Sequence, residues 1–337
     1  MTTTTITATN PRLPRRTLAL YLCAVGLFSA ADVQAQASYP TRPVRLIVGF
    51  PAGTGPDIVA RILAQKLSEG WCNMGVIVDN KPGAGGLIAA SEAARATPDG
   101  YTIMLGETGQ LSIAPSTYNK LPYDPVKDFA PVSQVVSSDF VLLVNPLKVP
   151  ARNVKDFVAW TQQQNGLFMA TFGAGTPGHF GAFMFGDAVK LKPEAIHYKT
   201  TADALGGLFS GDTQGVFASV GLAAPNVKAG KLVALGTTGA TRTSALPDVP
   251  TIKEQGYNNL EFSSWFGVVA PAKVPADILA KLSADIQKAV KAPEGKAKLE
   301  DAGFRVSGTT REEFARIIAA DTVTWGKAVA ATGFKAD

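Results

Sequence analysis

Residues Val44 to Leu67, VRLIVGFPAGTGPDIVARILAQKL, decide how the chain is read. Val44 to Phe50 is β-rich and nearly all apolar, as expected of a strand covered on both faces, and Pro51, Gly53, Gly55 and Pro56 break that pattern sharply. Asp57 stands where a helix cap belongs, and Ile58, Val59, Ile62, Leu63 and Leu67 recur at helical spacing. The turn therefore delivers the chain to a helix N-terminus, with free N–H groups and a partial positive charge. A carboxylate or phosphate can bind there without any basic side chain. Most strand-turn-helix units in α/β domains bind nothing, so the turn alone assigns no ligand.

Working outward, short apolar segments alternate with helical patterns, the signature of a mainly parallel α/β sheet. Strands are expected at Val44–Phe50, Val76–Asn80, Tyr101–Leu105, Phe140–Val144, Leu167–Phe172, Ala195–Tyr198, Gly215–Ala218, Leu232–Thr237 and Phe266–Ala270. Helices are expected at Asp57–Leu67, Leu87–Ala96, Val154–Gln164, Ala202–Ser210, Ala276–Ala289, Pro293–Ala302 and Arg311–Ala331. No internal repeat stands out. The strands at Phe140 and Phe266 flank a middle block of ordinary domain size, which implies a domain inserted within a domain. The outer lobe comprises 38–138 with 265–337 and the inner lobe 139–264. Two crossings make a hinge and leave a ligand cleft between the lobes.

Before the first strand, Arg12, Arg15 and Arg16 precede an uncharged run from Leu18 to Ala31, followed by Ala35-Gln36-Ala37. This is the pattern of a cleavable secretory signal peptide over 1–37, cut after Ala37 or Ala35, which implies that the mature protein is exported. The apolar core is short for a membrane span of about 20 residues. Its removal takes three arginines and Asp32, moves the formal charge from +5 to +3 and leaves Cys72 as the single thiol. No internal disulfide can then form, and one Cys with His179 and His197 cannot supply a four-ligand zinc site. The absence of a clustered basic tract argues against nucleic acid as a partner.

A second turn repeats the opening logic. Leu167–Phe172 leads into Gly173-Ala174-Gly175-Thr176-Pro177-Gly178-His179, a match to G-x-G-x-x-G after a strand. A dinucleotide site needs an acidic residue closing the next strand, to hold the ribose; here that strand closes with Lys199, and the motif stands deep in the chain. No cofactor is expected. The alternative is a second backbone nest facing the first, each offering N–H groups to one end of an acidic ligand. Ser219-Val220-Gly221 lacks the glycine a nucleophile elbow needs, since Phe217 occupies that position. His179, at a helix start, reads as a cap or hydrogen-bond donor to a ligand, and His197 as a satisfied buried residue in an apolar strand.

An ordered series of short motifs runs through the mature chain. It comprises Tyr39-Pro40 with Pro43-Val44, Pro51-Ala52-Gly53 with Asp57, Asn80-Lys81-Pro82-Gly83-Ala84-Gly85-Gly86, and Asp99-Gly100-Tyr101-Thr102. Leu121-Pro122-Tyr123-Asp124, Asp128-Phe129-Ala130-Pro131-Val132, and Tyr198-Lys199 with Ala204-Leu205 and Gly211 follow. Leu246-Pro247-Asp248-Val249-Pro250-Thr251 with Glu254 and Gly256, and Trp265-Phe266-Gly267 with Ala270-Pro271, complete it. With these the chain resembles the periplasmic solute receptors of tripartite tricarboxylate transporters, the Bug-type receptors, from about Tyr39 to Phe334.

The resemblance implies a two-lobed, type II-like periplasmic binding protein, each lobe a mainly parallel sheet flanked by helices, that acts as a monomer. It implies closure on a small organic anion and presentation of that anion to a membrane permease. Ligand carboxylates would be held largely by backbone and water in two opposed loops, here Pro51, Ala52, Gly53, Thr54 and Asp57, and Gly173, Ala174, Gly175, Thr176 and His179. Thr108, Lys199, Thr200 and Thr201 occupy positions of additional contacts, and Ser219 lines the same cleft. The chain departs from the pattern at Thr200, often glycine, and at Gln214, often acidic. With no acidic residue at the cleft to meet an ammonium group, the expected ligand is a carboxylic acid without an amine. The alternatives are a periplasmic enzyme acting on an organic acid through His179 or Lys199, and a ligand sensor for a membrane signalling partner. Glu107, Thr108 and Asp203 read equally well as ordinary loop residues.

Overall fold

Apolar, β-branched runs that neither face can expose to water pair in parallel, and two such β-α-β-α-β runs build the protein. In the computed structural model, which describes residues 1–5, 7, 39–72, 74–198 and 200–336, the first run is β1 (Val44–Val48), α1 (Gly55–Gly70), β2 (Val76–Asn80), α2 (Leu87–Ala94) and β3 (Thr102–Glu107). The leader expected over 1–37 lies, apart from 1–5 and 7, outside the described residues, as does Lys199. A short helix α3 (Ala114–Thr117), the long strand β4 (Phe129–Val144) and α4 (Val154–Thr161) follow. The second run is β5 (Leu167–Thr171), α5 (Pro177–Val189), β6 (Pro193–His197), α6 (Thr201–Ser210) and β7 (Gly215–Ser219). The two runs pair alike: β1 lies between β2 and β3, and β5 between β6 and β7, all parallel.

After β7 come α7 (Val220–Lys228), β8 (Val233–Thr237) and β9 (Ser263–Pro271). The chain then forms α8 (Ala276–Lys291), α9 (Pro293–Asp301), β10 (Arg305–Val306) and α10 (Arg311–Thr332). The strand order is β2-β1-β3-β9-β4-β7-β5-β6, with β8 and β10 also paired to β4. β4 changes partners along its length. From Phe129 to Asp139 it runs antiparallel to β9, and from Phe140 onward it pairs with β7 and β8. At the change, buried Asp139 pairs with Arg305 of β10.

Several elements differ from expectation. The N-cap of α1 is Thr54, and the helix starts at Gly55 with Pro56 in its first turn, where the lost N–H costs nothing. Its buried face uses Val59, Ala60, Leu63, Ala64 and Leu67, while Ile58 faces outward. β4 begins eleven residues before the expected Phe140, through Pro131, because a register shift between Pro131 and Ser133 lets the ladder pass a residue with no N–H to donate. α7 was not expected, and of α5 only a helix start at His179 was. α5 carries three glycines and α7 holds Pro225 in its interior.

Several hydrophobic cores receive these elements. One gathers Ile47, Met104, Leu111, Trp265, Val269 and Phe314; another gathers Phe157, Phe180, Phe185, Phe217, Phe262 and Trp325. α10 serves both: Phe314 sits edge-on to Trp265 at 5.0 Å, and three turns later Trp325 packs on Phe262 at 5.9 Å. Its last turns therefore pack on the block 139–264, whereas the sequence reading placed all of 265–337 with the outer segment. Replacing Trp325 by alanine is expected to destabilise the protein by about 3–5 kcal/mol, measured by urea denaturation. A loss below about 1 kcal/mol would show that these turns carry no share of that core.

Candidate anion-binding site

β1 ends at Val48, and the chain turns through Phe50–Thr54 into α1. Gly53 adopts φ +80°, a conformation open to glycine without strain. Asp57, only 2% exposed, fixes this turn: Oδ2 accepts from Gly53 N at 2.8 Å and from Arg61 Nε at 2.9 Å. Asn80 Nδ2, at the end of β2, donates both to Asp57 Oδ1 (3.0 Å) and to the Phe50 carbonyl (2.9 Å). Burial opposes charge on Asp57, but the bonds from Arg61, Gly53 and Asn80 outweigh it and hold the carboxyl below its ordinary range. Asp57 thus holds the loop from behind, with both oxygens engaged. The Thr54 hydroxyl donates to the Pro51 carbonyl at 2.6 Å instead of capping α1. Pro51, Ala52 and Gly53 are exposed, and the helix N-terminus opens beside them.

The turn after β5 has the same construction. Gly173 and Gly175 take φ +123° and +78°. The Thr176 hydroxyl donates to the Gly173 carbonyl at 2.8 Å, and Thr176 is the N-cap of α5. Gly175 N donates to His179 Nδ1 at 3.2 Å. The His179 ring, 2% exposed, is enclosed by Phe180, Phe183, Phe334 and His197 at centroid distances of 4.6, 5.3, 4.9 and 4.5 Å. Burial, helped by His197, pushes its pKa down to about 4, so the ring is neutral at pH 7. With Nδ1 accepting, the proton sits on Nε2. The imidazole therefore acts as an acceptor toward its own loop. His197 is exposed, not buried; it closes β6, and its Nδ1 lies 2.7 Å from Thr171 Oγ1.

Set side by side, Ala52-Gly53-Thr54 with Asp57 and Ala174-Gly175-Thr176 with His179 are one device used twice. Each lies at the C-terminal end of the central strand of its β-α-β-α-β run, the edge where α/β sheets bind ligands. In each, the threonine hydroxyl bonds the carbonyl three residues back, and the glycine N–H bonds the side chain four residues on. The repeated Ala-Gly-Thr is the internal signal the sequence reading passed over.

The remaining expected contacts fall differently. Thr108, fully buried, accepts from Trp265 N at 2.9 Å and ties the end of β3 to β9. Thr200 caps α6, accepting from Asp203 N at 3.1 Å and donating to its carboxylate at 2.7 Å; exposed Thr201 opens that helix. Ser219 is the N-cap of α7, and its side chain does not close that cap. Residues flanking Ser219 in the chain pack toward both turns. A β-carbon on Gly178, at the start of α5, would lie 3.0 Å from the Phe217 carbonyl, and one on Gly221 would lie 2.9 Å from the Ala302 carbonyl. Phe304 reaches on to Gly55, where a β-carbon would stand 3.2 Å from its ring. Ala302–Phe304 thus bridges the β7–α7 turn and the N-terminus of α1. Phe304 and Asn80 are the residues of this neighbourhood that the sequence reading missed; Asn80 opens the Asn-Lys-Pro-Gly run it did notice.

The family model described as tripartite tricarboxylate transporter family receptor matches residues 59–334. The protein BugT of Bordetella pertussis is 30% identical over 329 residues, covering 93% of this chain and 98% of its own. A solved structure of Rpa4515 from Rhodopseudomonas palustris with adipate is 30% identical at a TM-score of 0.80, covering 88% of this chain and 99% of its own. MatC from the same organism, with bound malate, is 27% identical at 0.76, with coverages of 86% and 100%. The fold is accordingly that of the two-lobed periplasmic binding proteins.

The neutral, buried His179 makes the protein acid-sensitive. Its folded pKa of about 4 lies below the ordinary 6.5, so below pH 6.5 the unfolded chain binds more protons and stability falls as pH falls toward 4. The contribution lost between pH 7.5 and 4.5 is about 2–3 kcal/mol. Urea denaturation of wild type and His179→Gln across this range is expected to show a shallower acid limb in the variant, and parallel limbs would contradict the assignment.

Proposed function

Because the chain belongs to the tripartite tricarboxylate transporter receptor family, we propose that it captures a small organic carboxylate in a cleft and delivers it to the permease of such a transporter. It works in the periplasm as a monomer, exported by the leader at 1–37. The lobes are 38–138 with 265–337, and 139–264, the last turns of α10 being shared. The observation that carries this reading is the paired Ala-Gly-Thr turn, one on each β-α-β-α-β run, each locked so that backbone N–H groups and a helix N-terminus are presented to an anion. A solute touching both turns favours the closed form, which is what a permease would recognise.

Similar proteins with adipate and with malate support a carboxylate as ligand. The site's chemistry supports a receptor over an enzyme acting through His179. His179 is enclosed and its Nδ1 is bonded to the loop, which leaves it unsuited to acid–base work near neutral pH.

A thermal-shift screen of the mature protein against di- and tricarboxylates, aromatic acids and amino acids tests the reading; failure of every anion to stabilise it would overturn it. Gly53→Ala and Gly175→Ala form a matched pair, since neither new β-carbon meets an atom within 4 Å and both glycines sit near φ +80°. Each is expected to strain its turn by about 1–2 kcal/mol and weaken the same carboxylate by roughly 5- to 30-fold in titration calorimetry. An effect confined to one turn would count against a shared ligand.

A further inference from the structure

Glu107 closes β3 beside the first turn. The register pairs Val48 of β1 with Leu105, so Glu107 stands level with Phe50, where the chain leaves the sheet for that turn. Across the other edge it faces Phe266 of β9, and directly opposite residues share a face of the sheet. The Phe266 ring lies 5.6 Å from Phe304, which packs on Gly55 at the N-terminus of α1. A carboxyl group therefore stands on the face and at the strand end where the first anion turn opens. Its Oε1 folds back over Gly109, 2.9 Å from where a β-carbon would be.

Neighbouring acids of this lobe are paired, Asp57 with Arg61 and both Asp79 and Glu92 with Arg45. Glu107 is different: among the described residues no cation lies within 4.0 Å of its carboxyl and no group donates to it, the Gln110 bond being to its backbone N–H. It keeps some contact with solvent. An unpaired carboxylate beside a nest of N–H groups would repel the anion that nest serves.

We propose that Glu107 is a specificity-determining ligand contact, present as the neutral carboxylic acid, which donates a hydrogen bond to a carboxylate oxygen of the captured solute. The inference rests on the receptor reading above. Burial pushes the Glu107 pKa up to about 8, in accord with it. Tyr123, which interacts with Glu107, is itself shifted upward and stays uncharged near neutrality, and in the first turn the charge of Asp57 is met by Arg61. An acid at the end of β3, away from position 214 where the sequence pattern lacks one, would thus favour carboxylate over ammonium.

Titration calorimetry of the mature protein with adipate and with malate, at pH 7 and pH 9, tests this. Wild-type affinity is expected to fall about tenfold across that range, as required of a group with pKa near 8 that must be protonated. Glu107→Gln should change less than threefold over the same range, and Glu107→Ala should bind about tenfold more weakly than wild type at pH 7, with near-ultraviolet circular dichroism confirming that both variants fold. Affinity independent of pH in wild type, the same decline in Glu107→Gln, or wild-type affinity in Glu107→Ala would each overturn the proposal while leaving the receptor reading intact. Failure of wild type to bind any carboxylate at either pH would remove both.

Discussion

A glycine N–H held by the side chain four residues further on is the constraint from which the site follows. It fixes the peptide plane before each helix, so that the neighbouring N–H groups and the helix N-terminus point outward instead of collapsing onto their own carbonyls. Asp57 and His179 meet the same geometric demand with different chemistry. Both solutions avoid placing net negative charge behind the turn: Asp57 is met by Arg61, and the imidazole is uncharged. Burial serves the two oppositely, opposing the charge of Asp57 while securing the neutrality of His179.

The sheet topology then sets where these turns can be. Each occupies the carboxyl end of a central strand, and the two strand sets meet along β4, whose partners change at Phe140. A strand that belongs to two ladders carries the chain across without a loop, and β9 beside it supplies the second crossing. α10 adds a third link, from Phe314 in one core to Trp325 in the other.

Much of this was legible in the amino-acid order because apolar strands, glycine turns and amphipathic helices follow local rules. β1, β2 and β5 stand where their patterns place them, and the glycine turns after β1 and β5 each lead from a strand into a helix start, as read. What escaped was tertiary. The glycines of α5 look like helix breakers until Gly181 is seen against the Phe262 ring and Gly186 against Pro193, where side chains would not fit. Pro131 seems to forbid a strand until the bulge beside it is known. Asp57 has the sequence position of a cap, and only the approach of Asn80 from the next strand reveals it as a brace. Glu107 reads in the amino-acid order as an ordinary loop residue, and that its carboxyl has no partner among the described residues is visible only in the fold.

The contact between Gly221 and Gly303 has a consequence for how such a chain can change over generations. A β-carbon on Gly303 would come within 2.8 Å of Gly221 Cα, and one on Gly221 within 2.9 Å of the Ala302 carbonyl, so neither position tolerates a side chain while the other segment stays where it is. Gly303 also holds φ +85°. The two sites, far apart in the chain, are bound to a common fate: a lineage that enlarges one must first re-lay the backbone of the other, and with it the floor joining both anion turns. Change of side chain is thereby channelled away from that floor and toward exposed positions such as Ala52 and Ala174, where it leaves the frame standing.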